Sequence, residues 1–510
     1  MEFSESSFNY ESDCSSLSPA EYSSSPCHLE PNPKKRKRNS NVKNRPMKES
    51  APWHIMLSLA GQGKNNVADE QSADGRYFRR RFRLPYALFE SLIKVMLDDN
   101  WFPSAYEANG RGKLDSCGVR GCSLQVKVLS VLRVLGRGVC FDELYDGSGC
   151  SESMMSRFFH EFLIIFNDRL FHCSVKAPAT QSEVSKLERI YGFLGMAGAI
   201  GSTDCTHIAL GKCPINWRNS CVGKEGYPTV SYSMTCDHTR RIMACSGGFP
   251  GTYNDKTISR YDAFITAVGS DKLFTDFEYQ IQTEQGLETR KGAHLICDGG
   301  YHHWNHMICG FKQSDEEQRT LFSCQLESVH KDVECCFGIL KMRFQILANP
   351  IQYHDKNLKK YILKINNTVW TCAILHNLLL AYDGLDKLWT EDDYLSTWYS
   401  DPDAEKHRWD NEGAAHDSLL LQRVPKRMFT SRILGARRPS NCPAATHVVP
   451  NGRSSSNLSG IAYIDNADDD PLEWQQGFFE KRKELVSHFH KEWNANNVKW
   501  LPFPKVKRRR

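Results

Sequence analysis

Three acidic residues stand out by where they fall in the chain. Asp204 sits inside an otherwise uncharged stretch, Gly201-Ser202-Thr203-Asp204-Cys205-Thr206-His207-Ile208, which reads as part of a strand from Ala199 to Leu210. A carboxylate in mid-strand is costly to bury unless it is paired or bound to metal. Asp298 ends the short apolar run His294 to Cys297 and precedes Gly299-Gly300. That position is a carboxyl edge, where open sheets place their sites, and the glycines let the chain turn sharply there. Glu334 lies at the boundary of an apolar stripe on a helix expected from Glu327 to Ile346, so it can point back at the sheet edge. Three carboxylates on one edge repel one another unless cations bind, and oxygen donors with open positions suit Mg²⁺ or Mn²⁺. Two such ions about 4 Å apart clamp the attacking and leaving oxygens of an in-line phosphoryl displacement. Each acid also has a plainer explanation: a buried hydrogen-bonded group, a turn residue, a helix-surface charge. Spacing alone leaves both open.

The elements that must position these acids follow from periodicity. Helices are expected at Leu84 to Met96, Leu124 to Leu135, Phe141 to Tyr145 and Met154 to Phe166. Gly147, Gly149 and Ser151-Glu152-Ser153 form a turn and a helix start before the last of these. That arrangement is compatible with a helix-turn-helix, with Arg157 near the start of its second helix, and equally with a small packing bundle. Strands are expected at Ala199 to Leu210, Thr229 to Cys236, Arg241 to Ser246, His294 to Cys297 and Met307 to Phe311. Val329, Val333, Phe337, Leu340 and Phe344 make one apolar stripe on the 327–346 helix. Ile362 to Tyr382 is a further apolar helix, and a last one runs from about Pro471 to Trp493. Hairpin strands followed by strands separated by helices predict a mixed α/β fold with a mixed sheet flanked by helices.

Rival chemistry is thinner. Asp255 lies in a Gly/Asn-rich loop and reads as loop-shaping rather than metal-binding; Asp237 reads as a hairpin turn residue. Cys117 and Cys122 lack a second Cys/His pair at finger spacing, and His302, His303 and His306 read as a chance cluster. Cys335-Cys336 reads as core packing. No phosphate-binding Walker loop, Gly-x-Ser-x-Gly elbow or His-Glu-x-x-His motif occurs.

Composition bounds the rest. The 510 residues allow two to four structural units, and 40% hydrophobic with 25% charged residues supports a core of normal size. No window approaches the 18 or more apolar residues of a membrane span, and the first 33 residues hold no Lys or Arg, so neither a membrane nor a secreted protein is expected. The 19 cysteines, an odd number spread over the chain, are expected to be reduced thiols. Net charge is only +5, but Lys34-Lys35-Arg36-Lys37-Arg38 and the terminal Lys505, Lys507, Arg508, Arg509 and Arg510 are compact basic runs. Such runs read as nuclear import signals or nucleic-acid contacts, which predicts a nucleus and a polyanionic partner. Ten of the first 25 residues are Ser, so residues 1–75 are expected to be a disordered tail. Beyond it, the expected units are a helical, helix-turn-helix-like domain over 76–190, a catalytic domain over 195–382, a loop-rich linker or insertion over 383–465 and a C-terminal helix with a basic tail over 466–510.

Several blocks then resemble one family. Gly201-Ser202-Thr203-Asp204-Cys205-Thr206-His207 with Lys212-Cys213-Pro214 and Trp217, Gly248-Phe249-Pro250-Gly251-Thr252-Tyr253-Asn254-Asp255, and Cys297-Asp298-Gly299-Gly300-Tyr301 resemble the PIF/Harbinger superfamily of DDE transposases, its plant-transposon-type branch above all. The most specific block runs from Glu327-Ser328-Val329-His330-Lys331-Asp332-Val333-Glu334 to Met342-Arg343-Phe344, and Leu375-His376-Asn377 fits the following helix. The resemblance covers about 77–380. It implies an RNase H-like core with a five-stranded mixed sheet, in which Asp204, Asp298 and Glu334 match the three catalytic, metal-binding acids. The chain departs at Ile208-Ala209-Leu210, where the family often has Trp and Glu, and at His330, where it usually has Arg.

The resemblance further implies a Mg²⁺- or Mn²⁺-dependent nuclease that cuts a phosphodiester at a transposon end, frees a 3′-OH and joins it to target DNA. Double-stranded DNA is the expected partner, together with a Myb-like DNA-binding protein; a homo-oligomer is left open. Arg79, Arg80, Arg81, Arg83, Arg157, Lys341 and Arg343 are candidate DNA contacts. Two alternatives stand beside this: a domesticated derivative that binds DNA or protein without cutting, and a host nuclease that cuts without joining.

Overall fold

The computed structural model describes residues 51–386 and 477–498, apart from 61, 63–65, 115–117, 119 and 496. Both basic runs, the Ser-rich start and the span 387–476 lie outside the described residues. The chain is helical earlier than the composition suggests. Helix α1 (Pro52–Ser58) opens with a proline in its first turn, where no N–H is needed, and buries Trp53. The ring of Trp53 lies so close to Gly147 that a β-carbon there would meet it at 2.3 Å.

Helices α2 (Ala73–Phe82) and α3 (Tyr86–Asp98) follow, with Ser72 capping α2 through the Gly75 N–H. Helix α4 (Leu124–Arg137) starts at the Ser123 cap and stops at Gly138, whose φ of 65° is the left-handed region glycine favours. A short 3₁₀ turn leads into α5 (Tyr145–Ser148). Helix α6 (Glu152–Ser174) runs past the expected end at Phe166 because Leu170 and Ser174 remain buried. Cys122 and Cys150 form a disulfide, against the expectation of reduced thiols. The fold brings the start of α4 beside the turn after α5, a proximity that a separation of 28 residues does not reveal.

Helix α7 (Gln181–Phe193) leads to the sheet. Strand β1 (Ala199–Ala209) connects through α8 (Ile215–Cys221) to β2 (Thr229–Cys236), β3 (Ile242–Cys245) and β4 (Phe249–Pro250). Helices α9 (Asp255–Tyr261), α10 (Ala263–Ser270) and α11 (Lys272–Thr275) precede a separate hairpin, β5 (Glu278–Thr283) and β6 (Gly286–Lys291). Then come β7 (His294–Ile296), β8 (Met307–Ile308), α12 (Glu317–Arg343), α13 (Leu358–Tyr382) and α14 (Phe478–Asn494).

The main sheet is mixed, with strand order β3-β2-β1-β7-β8 and β4 paired to β2 as a sixth strand. β1 runs antiparallel to β2 and parallel to β7. One apolar cluster joins α2, α4 and α6 to α13 and to Ile208, Val230, Tyr232 and Met234 of the sheet, so the leading helices and the sheet share a core. A second joins α7, α10, α14 and part of α12 to Ile200, Leu295 and Ile308. At roughly 25 cal/mol per Å² of apolar surface removed from water, such burial dominates the stabilisation.

Candidate active site

The parallel pairing of β1 with β7 sets the first two acids. Ser202 pairs with Ile296. Asp204 stands two residues further along β1 and Asp298 two residues past the pairing, just beyond the end of β7, so they are neighbours at the end where the chain leaves the sheet and the charge of Asp298 acts on Asp204. Asp298 is exposed, and its Oδ1 accepts the Gly300 N–H at 2.8 Å. Asp204 is half-buried. Burial pushes its carboxyl up to about 7 against a hydrogen bond from the Cys205 backbone, and the charges of Asp298, Asp255 and Glu334 push the same way.

Helix α12 brings the third acid. Its apolar stripe (Val329, Val333, Phe337, Leu340) is buried as periodicity predicts. Three polar contacts pin it to the sheet: His330 Nε2 lies 3.2 Å from the Thr203 carbonyl oxygen, Lys341 Nζ donates to the His207 carbonyl at 3.0 Å, and Arg240 at the β2–β3 turn pairs with Asp332 at 3.3 Å. The contacts to residues 203 and 207 bracket Asp204. Glu334, one helical turn after His330, therefore lies on the same side as Asp204, 58% exposed and 3.9 Å from His330 Nδ1. His330, one of the two departures from the resemblance, ties helix to strand.

Asp255 belongs to the same neighbourhood. Asn254, rather than Asp255, shapes the loop: its Oδ1 accepts the Thr257 N–H at 2.8 Å and caps α9. Burial pushes the Cys205 thiol up, the charge of nearby Asp255 pushes the same way, and the thiol accepts the Tyr301 hydroxyl at 3.4 Å. Asp237 keeps its turn role, accepting the Thr239 N–H at 2.9 Å. His302 stacks on Trp304 and His303 on Phe478, while His306 is buried. Cys336 is buried and Cys335 exposed, so only one of that pair packs in the core.

The candidate DNA contacts separate. Arg80 and Arg157 are exposed. Arg79 pairs with Asp383 at 2.6 Å, Arg81 donates to the Tyr77 hydroxyl at 2.8 Å, and Arg83 donates to the Gly136 carbonyl at 3.4 Å. Lys341 is held by the His207 carbonyl, and Arg343 lies 3.1 Å from His376 Nδ1. All five have polar partners within this chain. Lys312 and Lys256 were not singled out by the sequence. Lys312 is exposed with its Cε beside Gly299, next to Asp298, and Lys256 is exposed next to Asp255. Lys256 follows Asp255 directly in the sequence, whereas Lys312 is distant from Asp298 and only the fold brings it beside Gly299.

All four acids are hard oxygen donors, which suits Mg²⁺ or Mn²⁺. Both Asp298 and Asp255 lie against Gly300, where an added β-carbon would come 3.0 Å from Asp298 Oδ1 and 3.4 Å from Asp255 Oδ2. Among the described residues, no three His, Cys, Asp or Glu side chains converge closely enough to hold an ion as they stand. The donor chemistry suits a divalent cation; closing the shell requires side-chain rotation, which exposed Asp298 and Glu334 allow.

Residues 173–385 match the model of the Plant transposon protein family. The chain is 22% identical over 271 residues to "Putative nuclease HARBI1" of Homo sapiens, covering 52% of this chain and 70% of that protein. It is 22% identical over 313 residues to "Protein ALP1-like" of Arabidopsis thaliana, covering 61% and 72%. No solved structure matches the chain.

Proposed function

We propose, from the premise that residues 173–385 belong to the Plant transposon protein family, that this chain is a divalent-metal-dependent DDE nuclease acting on double-stranded DNA, with strand transfer as a second step. The observation that carries the proposal is the β1–β7 register, which makes Asp204 and Asp298 neighbours while α12 sets Glu334 on the same side. The antiparallel β3-β2-β1 order followed by parallel β7 and β8 supports an RNase H-like core. Relatives named as nucleases support the reaction class.

Asp204, Asp298 and Glu334 would hold Mg²⁺ or Mn²⁺. When bound, such ions supply Lewis-acid activation and charge neutralisation at the scissile phosphate. In the hydrolytic step a bond forms from a water oxygen to phosphorus, the P–O3′ bond breaks, and the proton passes to the leaving 3′-oxygen. In the joining step the freed 3′-OH attacks a second phosphodiester in the same manner. Lys312 and Lys256, on the rim beside Asp298 and Asp255, would meet phosphates without reading sequence. The basic runs at Lys34–Arg38 and the C-terminus would direct the chain to the nucleus, and a Myb-like partner would read the ends.

The test is nicking of a labelled duplex carrying the element's terminal sequences, with Mg²⁺ or Mn²⁺ and the Myb-like partner if one is found. Metal-dependent nicking by the wild type, lost in Asp298→Asn and Glu334→Gln, is expected. The incompletely converged acids favour one second reading, a derivative that binds DNA without cutting. DNA binding without nicking in every variant, under conditions where a related enzyme cuts, would establish that reading instead.

A further inference from the structure

We infer that the arm between β1 and β2, residues 211–228, is a duplex-DNA contact beside the acidic edge, with Lys212, Arg218 and Lys224 on phosphates and Ile215 against the groove; the inference rests on the reading of this chain as acting on double-stranded DNA. The arm carries three cations and one acid, Glu225. Lys212, Arg218 and Lys224 are all exposed, and among the described residues no hydrogen bond or ion pair engages their side chains. Lys212-Cys213-Pro214 and Trp217 belong to the blocks that carry the family resemblance, yet the acidic site makes no use of them.

The arm is braced from below. Trp217 and Cys221, four residues apart on α8, are buried, and Trp217 meets the Tyr361 ring edge-on at 6.3 Å. The Gly211 N–H donates to the Ile351 carbonyl at 2.8 Å, Thr252 Oγ1 donates to the Ser220 carbonyl at 2.9 Å, and Val222 bridges to Pro228. The other side of α8 faces outward: Ile215 is 91% exposed, and Arg218, three residues on, shares its face. A single exposed aliphatic is ordinary. Fixed beside a guanidinium, it suits a groove, where apolar groups meet base edges while the guanidinium meets a phosphate.

The placement fits a substrate that runs past the acids. Leu210, at the foot of the arm, is six residues beyond Asp204 in the chain; at about 3.3 Å per strand residue that is ~20 Å, about six base pairs of duplex. The arm also folds back. A β-carbon at Gly223 would meet the Gly251 carbonyl oxygen at 2.1 Å, so the arm packs backbone to backbone on the loop that leads to Asp255. Burial first, then the charge of Lys224, lowers the pKa of His207, which sets that ammonium near β1 three residues past Asp204. Carboxylates on the edge repel a polyanion, and cations at this distance supply the attraction that docks it.

The experiment is binding of a fluorescent DNA duplex by the full-length chain across a salt series with Ca²⁺ present. It compares wild type, Lys212→Ala/Arg218→Ala/Lys224→Ala, and a charge-matched control at exposed lysines elsewhere, Lys94→Ala/Lys186→Ala/Lys272→Ala. The arm variant is expected to bind about tenfold or more weakly and to flatten the salt slope by about two to three, while the control keeps the wild-type slope. Wild-type affinity and slope in the arm variant, or an equal fall in the control, overturn the arm and leave the DNA reading standing. No duplex binding by the wild type overturns both. If the arm variant melts below wild type, Ile215→Ser decides, because that side chain is too exposed for the fold to depend on it. A severalfold loss of duplex affinity at an unchanged slope supports the inference, and unchanged affinity overturns it.

Discussion

Lys341 and Lys312 show how a residue's neighbours, not its type, decide its role. Both lie near the acidic edge. Lys341 is turned inward: burial lowers its pKa, and its amine donates to the His207 carbonyl at 3.0 Å, fastening α12 to β1. Lys312 is exposed beside Gly299. A phosphate contact contributes through counterion release, so removing one reduces the salt dependence of DNA binding by about one unit of slope. Lys312→Ala is therefore expected to weaken duplex binding severalfold and flatten the salt dependence by about that amount. Lys341→Met is expected to leave the salt slope unchanged and lower the melting temperature. Titration of a fluorescent duplex at several salt concentrations checks both, and a slope change in Lys341→Met alone would reverse the assignment.

At the scale of elements, the Leu375-His376-Asn377 block turns out to be a fastener. Asn377 Nδ2 donates to the Ser174 carbonyl at 2.9 Å and the Ile242 carbonyl at 2.8 Å, and its Oδ1 accepts the Ile242 N–H at 3.0 Å. One buried amide thus joins α13 to α6 and to the edge strand β3. Replacing it with Leu keeps similar volume but strands three buried backbone groups, each costing about 1–3 kcal/mol. Asn377→Leu is expected to destabilise the chain by about 3 kcal/mol or more, read as a lower urea midpoint; an unchanged midpoint would show that those groups find other partners. The block was recognisable in the sequence, but its role was not, because its partners lie 203 and 135 residues away. The same limit explains other gaps. Strand β2 matches its expected bounds because Thr229–Cys236 is buried throughout and flanked by turn residues. The β5–β6 hairpin, with Gln280 and Glu288 among its strand residues, carries no apolar run and went unread. The acids at 204, 298 and 334 were legible from placement and resemblance. Asp255 was not placed with them, since only tertiary structure shows Asn254 taking the cap.

Over the whole molecule, the core holds titratable groups whose charges oppose one another as pH changes. Burial depresses His238 to about 4, with Asp237 opposing and Arg240 reinforcing; burial and then Lys481 depress His306 to about 3. Both imidazoles are neutral in the fold, whereas the unfolded chain protonates them near 6.5. The unfolded state therefore binds more protons below that value, and each histidine lowers stability as pH falls from about 6.5 toward its folded value. Asp204 and Asp332, both raised to about 7 chiefly by burial, act in the opposite sense. They take up protons in the folded state first, so their contribution rises as pH falls from about 7 toward the ordinary carboxylate range. The total pH profile is thus a sum of opposing slopes, and its overall shape cannot assign the histidines. A substitution isolates them. At pH 5 a neutral buried histidine carries a penalty of about 2 kcal/mol, which is nearly absent at pH 7. Relative to wild type, His238→Gln and His306→Gln should each gain about 2 kcal/mol between pH 7 and pH 5, whatever packing cost they share at both pH values. Urea unfolding at the two pH values measures that difference directly. A wild-type-to-variant gap that stays constant from pH 7 to pH 5 would mean that the imidazole titrates alike in the folded and the unfolded chain, so that an anionic group, for His238 the neighbouring Asp237, offsets burial.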